Sequence, residues 1–358
     1  MVPQIQRRLR LTALFGDNNM IENAVSRRSF LKGAAVGSSV FLAGGLPVFA
    51  ESATKLVFME PFDLALEYAH EMNAVAGGHF EKEGLDVSIT NARGTAVGIQ
   101  QVIANQATTT RIGLLDLLKA AGSQEAKILS VGTSLQGGIF NVVSRKDAPI
   151  NSPADFKGKT VGVASLGGGQ ENVLNLMLSS VGIKPEEVER QAIGSNAGNV
   201  EILKQGRVDA FIASTETALI LQMNKEPIDV WPTSKFTPLP GGVIMMTSAF
   251  AEGNRPTVVK FLRAMRASAL EIIDTDPAVI LDRIVAKFDI TTNDDRAFRL
   301  AAIKTYNELT LAQGRDNVMR NVPSVFEAAA KLVNDAGIVA VPNVAALYDN
   351  SFADEAFK

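Results

Sequence analysis

From Thr54 to Thr247 the chain alternates short apolar runs with stretches of one-faced helical spacing, a pattern that commits it to βα units around a mostly parallel sheet. Strands are read at KLVFME (55–60), LDVSIT (85–90), RIGLL (111–115), KILSVG (127–132) and IFNVVS (139–144). A second series follows at KTVGVA (159–164), 188–193, 208–213, about 228–231 and GGVIMMT (241–247). Between the first two strands, Leu64, Tyr68, Met72 and Val75 recur at helical intervals and predict one helix that ends at Gly77 and Gly78. Ser152 before Pro153 supplies an N-cap and a first helical residue. Beyond Asn254 the spacing is helical to about 348, with Pro256, Pro277 and Pro323 at helix starts.

The two series echo one another. Residues 95–115 and 197–213 each give an amphipathic helix, a short polar turn and a buried strand, with few identities. A chain this long exceeds the size at which one core keeps growing. Two α/β lobes are therefore expected, with 145–244 forming lobe two inside a lobe one made of 51–144 and 245–358. The connections near 140–145 and 242–247 would form a hinge, with a cleft between the lobes.

With 46% apolar and 20% charged residues the chain can bury a core and is not a disordered polymer. It has no cysteine, which excludes disulfides, thiolate zinc sites, iron–sulfur clusters and a Cys nucleophile. The net charge of −3 offers no basic surface for a phosphate backbone, so nucleic acid is not expected as a partner. His70 and His79, the two histidines, lack the i, i+4 spacing of a helical zinc pair, and no metal, cofactor or catalytic residue is expected.

The first fifty residues read as an address. Ser26-Arg27-Arg28-Ser29-Phe30-Leu31-Lys32 precedes the uncharged run 33–46 and then Pro47-Val48-Phe49-Ala50, an order of charge, apolar stretch and small-residue cleavage site. The run is too short and too rich in glycine to span a bilayer. Its opening resembles the twin-arginine export signal, which implies passage through the twin-arginine machinery to the periplasm, with cleavage after Ala50. Met20 is an alternative start. Losing six basic and two acidic residues would leave 308 residues with a net charge of about −7.

In open α/β sheets, ligands lie beyond the carboxyl ends of the strands. That rule selects Phe62 and Asp63; Arg93, Gly94 and Thr95; Leu115 and Asp116; and Thr133 to Gln136 from lobe one. From lobe two it selects Ser165 to Gln170, including Gly168 and Gly169, then Ser195 with Asn196, and Thr215 with Glu216. Three glycines ahead of the helix 171–180 let backbone amides approach a bound group, although Gly167-x-Gly169-x-x-Asn172 lacks the third glycine of a dinucleotide fingerprint. Arg93 could clamp a carboxylate or sulfonate, whereas Asp63, Asp116 and Glu216 would welcome an amine, a hydroxyl or a heterocycle N–H, or simply cap helices. Met245 and Met246 read as core and Trp231 as packing.

Three blocks carry a resemblance. INSPADFKGKTVGVASLGGG (150–169), HFEKEGLDVSI (79–89) and LKQGRVDAFIAS (203–214) resemble blocks of the type II periplasmic solute-binding proteins of ABC importers, in the nitrate/sulfonate/taurine and thiamine-pyrimidine-precursor branch. Phe156 stands where that family has leucine, and Gln106 to Arg111 replace its usual Gly-Asp turn. The resemblance implies a two-lobed α/β fold with a helical C-terminal tail, in which the same strand-end loops line the pocket. It also implies a monomer that captures a small organic solute by lobe closure and passes it to an inner-membrane ABC permease. A sulfonate, nitrate, taurine-like or small organic acid is the first expectation, and a thiamine-precursor-like pyrimidine the second. A periplasmic enzyme or a sensor subunit on the same fold remain alternatives. Eukaryotic members that make the thiamine pyrimidine use a cysteine-rich iron motif, which this chain lacks.

Overall fold

The computed structural model describes residues 53–123, 127–194, 196–291 and 293–358. The export signal, its cleavage point at Ala50, and Ser195 lie outside the described residues.

Among the described residues, ten strands form two five-stranded sheets. They are β1 (Thr54–Glu60), β2 (Leu85–Asn91), β3 (Thr109–Ile112), β4 (Ile128–Leu135), β5 (Phe140–Arg145), β6 (Thr160–Val163), β7 (Glu189–Ala192), β8 (Ala210–Ser214), β9 (Ile228–Pro232) and β10 (Gly242–Thr247). The first sheet runs β2-β1-β3-β10-β4 and the second β7-β6-β8-β5-β9. The flanking helices are α1 (Ala69–Ala76), α2 (His79–Lys82), α3 (Thr95–Ile103), α4 (Leu114–Ser123), α5 (Gly169–Ser180), α6 (Asn199–Lys204) and α7 (Thr215–Met223). The C-terminal region adds α8 (Ser248–Gly253), α9 (Arg255–Asp274), α10 (Pro277–Val285), α11 (Arg296–Thr310), α12 (Pro323–Asp335) and α13 (Ser351–Ala356).

Within each sheet the βα units pair parallel: β1 with β2 and β3, and β6 with β7 and β8. The antiparallel pairings all involve β10 or β5, the strands that follow the two changes of sheet. Sheet one passes to sheet two through 136–139, between β4 and β5, and the chain returns through 233–241, between β9 and β10. So β5 lies wholly in the second sheet and β10 wholly in the first, a few residues away from the expected boundaries at 144/145 and 244/245.

The two crossings are tied together. The amide of Gly241 donates to the carbonyl of Gly137 at 2.9 Å, and the amide of Gly137 donates to Leu309 at 2.8 Å. A Cβ on Gly241 would stand 2.3 Å from the Ile139 side chain at Cγ2 and 3.1 Å from the Gly137 carbonyl oxygen, so a side chain here would force a shift at the crossing.

Period-2 alternation puts Leu56, Phe58 and Glu60 of β1 on one buried face. Phe58 and Phe80 stack on Phe261 of α9, with ring centroids 5.9 and 5.4 Å apart. Full burial of such a ring contributes about 2 to 3 kcal/mol, which fixes α9 and α2 against the first sheet. Met245 and Met246 are buried core, and Trp231 meets Phe236 edge-on while its indole N–H donates to Ile150. A second apolar cluster runs without a break from Leu114, Leu117 and Leu118 of α4 through Phe326 and Val333 of α12 to Leu174 and Met177 of α5. The tail therefore packs on elements of both sheets.

Two expected elements differ in extent. The apolar run 111–115 divides, with β3 ending at Ile112 and α4 starting at Leu114, because a continuous apolar stretch does not distinguish a strand from a buried helix. The helix expected from Leu64 begins as a 3-10 turn at Leu66–Tyr68, and after Gly78 in the left-handed region at φ 70° it resumes as α2. In the tail, 311–322 departs from α-helix and keeps only a 3-10 turn at Arg315–Asn317, with Gly314 at φ 84° and Met319 at φ 62°. No helix among the described residues is long and apolar enough to cross a membrane.

Candidate functional site

One cavity of about 1010 Å³ lies where the strand-end loops of the two sheets converge. From the first sheet it is walled by Phe62, Glu67, the start of α3 at Thr95 and Ala96, Arg111 of β3 and the start of α4. The second sheet contributes the loop after β6, the start of α5 and Ser214 at the end of β8. Both crossings line it, through Gly138 to Phe140 and Leu239 to Gly241. A further wall comes from Ile338 and Val339, beyond α12.

Of the residues selected from sequence, the structure brings Phe62, Thr95, Leu115, Asp116, Ser165, Gly167, Gly168, Gly169 and Gln170 to this cavity. The rest lie elsewhere. Asp63 accepts from Asn91 on the surface at 2.6 Å, and Arg93 and Asn196 are exposed. Gly94 turns the chain into α3 with φ 125°, its amide donating to Pro61. Thr133 and Gln136 are buried against the segment after α11: the Thr133 hydroxyl donates to Asn321 at 2.9 Å, and the Gln136 amide donates to the carbonyls of Asn317 and Arg320. The Thr215 hydroxyl donates to the Ile139 carbonyl, and Glu216 accepts from the Tyr306 hydroxyl at 3.4 Å, joining α7 to α11.

The glycine-rich loop is partly self-satisfied. Gly167 donates to the Glu171 carboxylate, Gly168 to the Ser165 carbonyl, and Ala164 to Gln170 Oε1 at 2.7 Å. The first-turn amides of α5, at Gly169 to Glu171, precede the intrahelical ladder, and Gly169 and Gln170 line this end of the cavity.

Asp116 lies in the first turn of α4. The residue lines the cavity, and burial pushes its carboxyl pKa up to about 6, a rise that Lys119 partly offsets.

Arg111 is the residue that loop positions alone do not find. It is 3% exposed, lies 4.4 Å from the Tyr68 ring centroid, and donates from Nη2 to Glu67 at 3.2 Å. Its Nε is 4.0 Å from both Glu60 and Glu71, whose carboxyl oxygens have no hydrogen-bond partner among the described residues. Burial drives both carboxyls above the ordinary range; for Glu60 the neighbouring Glu71 adds to the rise, and for both residues Arg111 opposes it. Burial alone would lower the guanidinium, but the surrounding Glu67, Glu71, Tyr68 and Glu60 raise it. A charge inside the apolar run 111–115, and a glutamate in the buried phase of β1, were the sequence signals for this cluster.

No group of three or more His, Cys, Asp or Glu among the described residues is arranged to hold a metal ion.

The profile of the family described as NMT1/THI5 like matches residues 67–278. A Haemophilus influenzae protein whose name refers to thiamine biosynthesis is 25% identical over 226 residues, 63% of this chain and 69% of its own length. The formylaminopyrimidine-binding protein of Halalkalibacterium halodurans is 25% identical over 198 residues, 53% of this chain and 58% of that protein. The solved structure of the periplasmic aliphatic sulphonate-binding protein SsuA from Escherichia coli superposes with a TM-score of 0.62 at 13% identity, covering 84% of this chain and 99% of the other. That likeness is one of fold: two mixed α/β lobes of the periplasmic binding protein type with a helical C-terminal region.

Proposed function

Because the chain belongs to the NMT1/THI5-like family, we propose that it is the periplasmic solute-binding component of an ABC import system, capturing one small organic solute and passing it to an inner-membrane permease. The observation that carries this reading is the cavity of about 1010 Å³ shared by the strand-end loops of both sheets and by both crossings. No bond is made or broken. The lobes turn about 136–139 and 233–241, and a solute that touches both walls favours the closed arrangement by binding it better. The amides at the start of α5 hold an acceptor group such as a sulfonate or carboxylate, while Phe62, Ile99 and Leu115 cover an apolar part. Ser26 to Lys32 direct the folded chain through the twin-arginine machinery, and it acts as a monomer.

A second reading, a receptor for a pyrimidine heterocycle, is favoured by the carboxyls of Glu67 and Asp116 in the first-sheet wall, which suit N–H donors. The name of the Halalkalibacterium relative points the same way.

A thermal-shift screen against sulfonates, small carboxylates, pyrimidines and amines tests both readings, since a ligand bound only to the folded chain raises its melting temperature. One class raising the melting temperature without being consumed is expected. Conversion of the hit into a product would instead establish an enzyme, and no response to any class would remove the solute reading.

A further inference from the structure

The first-sheet wall presents its charges unequally. Arg111 is fixed: its guanidinium stacks on Tyr68, Nε faces the carboxylates of Glu60 and Glu71 at 4.0 Å, and a Cβ at Gly242 would come within 3.1 Å of Nη1. Its side chain is 3% exposed. Glu67 is its opposite. It lines the cavity from the 3-10 turn Leu66–Tyr68 with its side chain 22% exposed, and Oε1 takes the Arg111 Nη2 donor at 3.2 Å.

An ionised carboxylate offers about four lone-pair sites and donates nothing. The hydrogen bond from Arg111 Nη2 to Oε1 uses one of them and tethers the carboxylate to the guanidinium. A solute at this wall therefore meets an oriented acceptor, with the positive charge behind it already surrounded by three carboxyl groups.

Resting on the reading of the cavity as a solute site, we propose that Glu67 is a specificity-determining residue that accepts a hydrogen bond from an N–H or O–H group of the solute, with Arg111 as its fixed counter-charge. The solute then carries a donor at the end that faces the first sheet. An acceptor-only anion gives the Glu67 carboxylate no donor.

Matched pairs that differ by one donor test the assignment: taurine against ethanesulfonate, and 4-aminopyrimidine against pyrimidine, titrated onto the protein by calorimetry. In at least one pair the donor-bearing member is expected to bind roughly tenfold tighter or more. Glu67→Met brings the two members of that pair to within about twofold. Glu67→Gln, which keeps an acceptor for Arg111 and so guards against a folding failure, weakens the preference for the ammonium of taurine. Circular dichroism of each variant confirms that it is folded. Equal binding of both members by the unaltered protein, or a donor preference that survives Glu67→Met, overturns the role of Glu67 and leaves the solute site standing. Binding of none of the four probes overturns the solute reading for these chemistries and the Glu67 role with it.

Discussion

The imidazole Nε2 of His79 meets Oε2 of Glu271 at 2.8 Å, and the same oxygen accepts from Arg283 Nη1 at 2.7 Å and Asn73 Nδ2 at 3.0 Å. One carboxylate thus joins α1, α2, α9 and α10. Burial alone would raise its pKa, but the hydrogen bonds from Arg283, Asn73 and His79 hold it down at about 2. A carboxyl depressed by folding stabilises above its ordinary value of 4.5 and loses that contribution as pH falls toward about 2. Glu271→Gln is expected to cost about 1 to 2 kcal/mol near pH 7 and much less near pH 2. Urea denaturation at the two pH values reads the difference, and an equal cost at both would refute the assignment.

His70 works with the opposite charge at a buried site. Its ring is wholly enclosed, with Nε2 3.2 Å from the Thr310 hydroxyl. Burial, reinforced by Arg111, lowers its pKa from 6.5 to about 3. The unfolded chain takes up a proton below about pH 6.5 that the folded chain refuses, so stability falls as pH drops from there toward 3. By pH 5 the loss amounts to about 2 kcal/mol. Nitrogen chemical shifts should show a neutral His70 ring at pH 5; an imidazolium signal there would contradict the assignment.

Arg111 balances a cluster that does not tolerate its loss. Arg111→Met leaves the buried Glu60 and Glu71, and Glu67 at the cavity wall, without a counter-charge, with an expected cost of about 3 to 5 kcal/mol. Adding Glu71→Met should recover part of that cost, since it removes one of the buried carboxyls. A double variant no more stable than Arg111→Met alone would show that the carboxyl was not the source of the penalty.

The crossings tolerate little bulk. Gly241→Ala puts a methyl group 2.3 Å from Ile139 Cγ2 and 3.1 Å from the Gly137 carbonyl oxygen. A cost of about 1 to 3 kcal/mol is expected from the forced shift, measured by thermal unfolding. No change in stability would mean that the two crossings can separate freely.

Most strands were legible because a half-buried strand writes its face into the sequence, as Leu56 and Phe58 do. The boundary between β3 and α4 was not, because Ile112, Leu114 and Leu115 are buried in either conformation. Phe62, Leu115, Asp116 and Ser165 could be placed at the cavity from the strand-end rule alone, since that rule depends only on where strands stop. Arg93 and Asp63 satisfied the same rule yet lie outside the cavity wall, because a loop residue can point to solvent while its neighbours face inward. Glu67 belongs to a turn inside what reads as a helix, and Ile338 and Val339 reach the cavity from more than a hundred residues beyond the nearest strand-end candidate, so no local pattern announces them. Arg111 was visible only as a charge in an apolar run.

Filling the cavity tests capture itself. Ala96 is exposed at the start of α3 and lines the cavity, so Ala96→Trp obstructs it without entering the core. Calorimetric titration of the solute found by screening onto both proteins should give saturable one-to-one binding to the unaltered chain and binding at least about tenfold weaker to the variant. Equal affinity in the two would place the solute elsewhere and contradict the account.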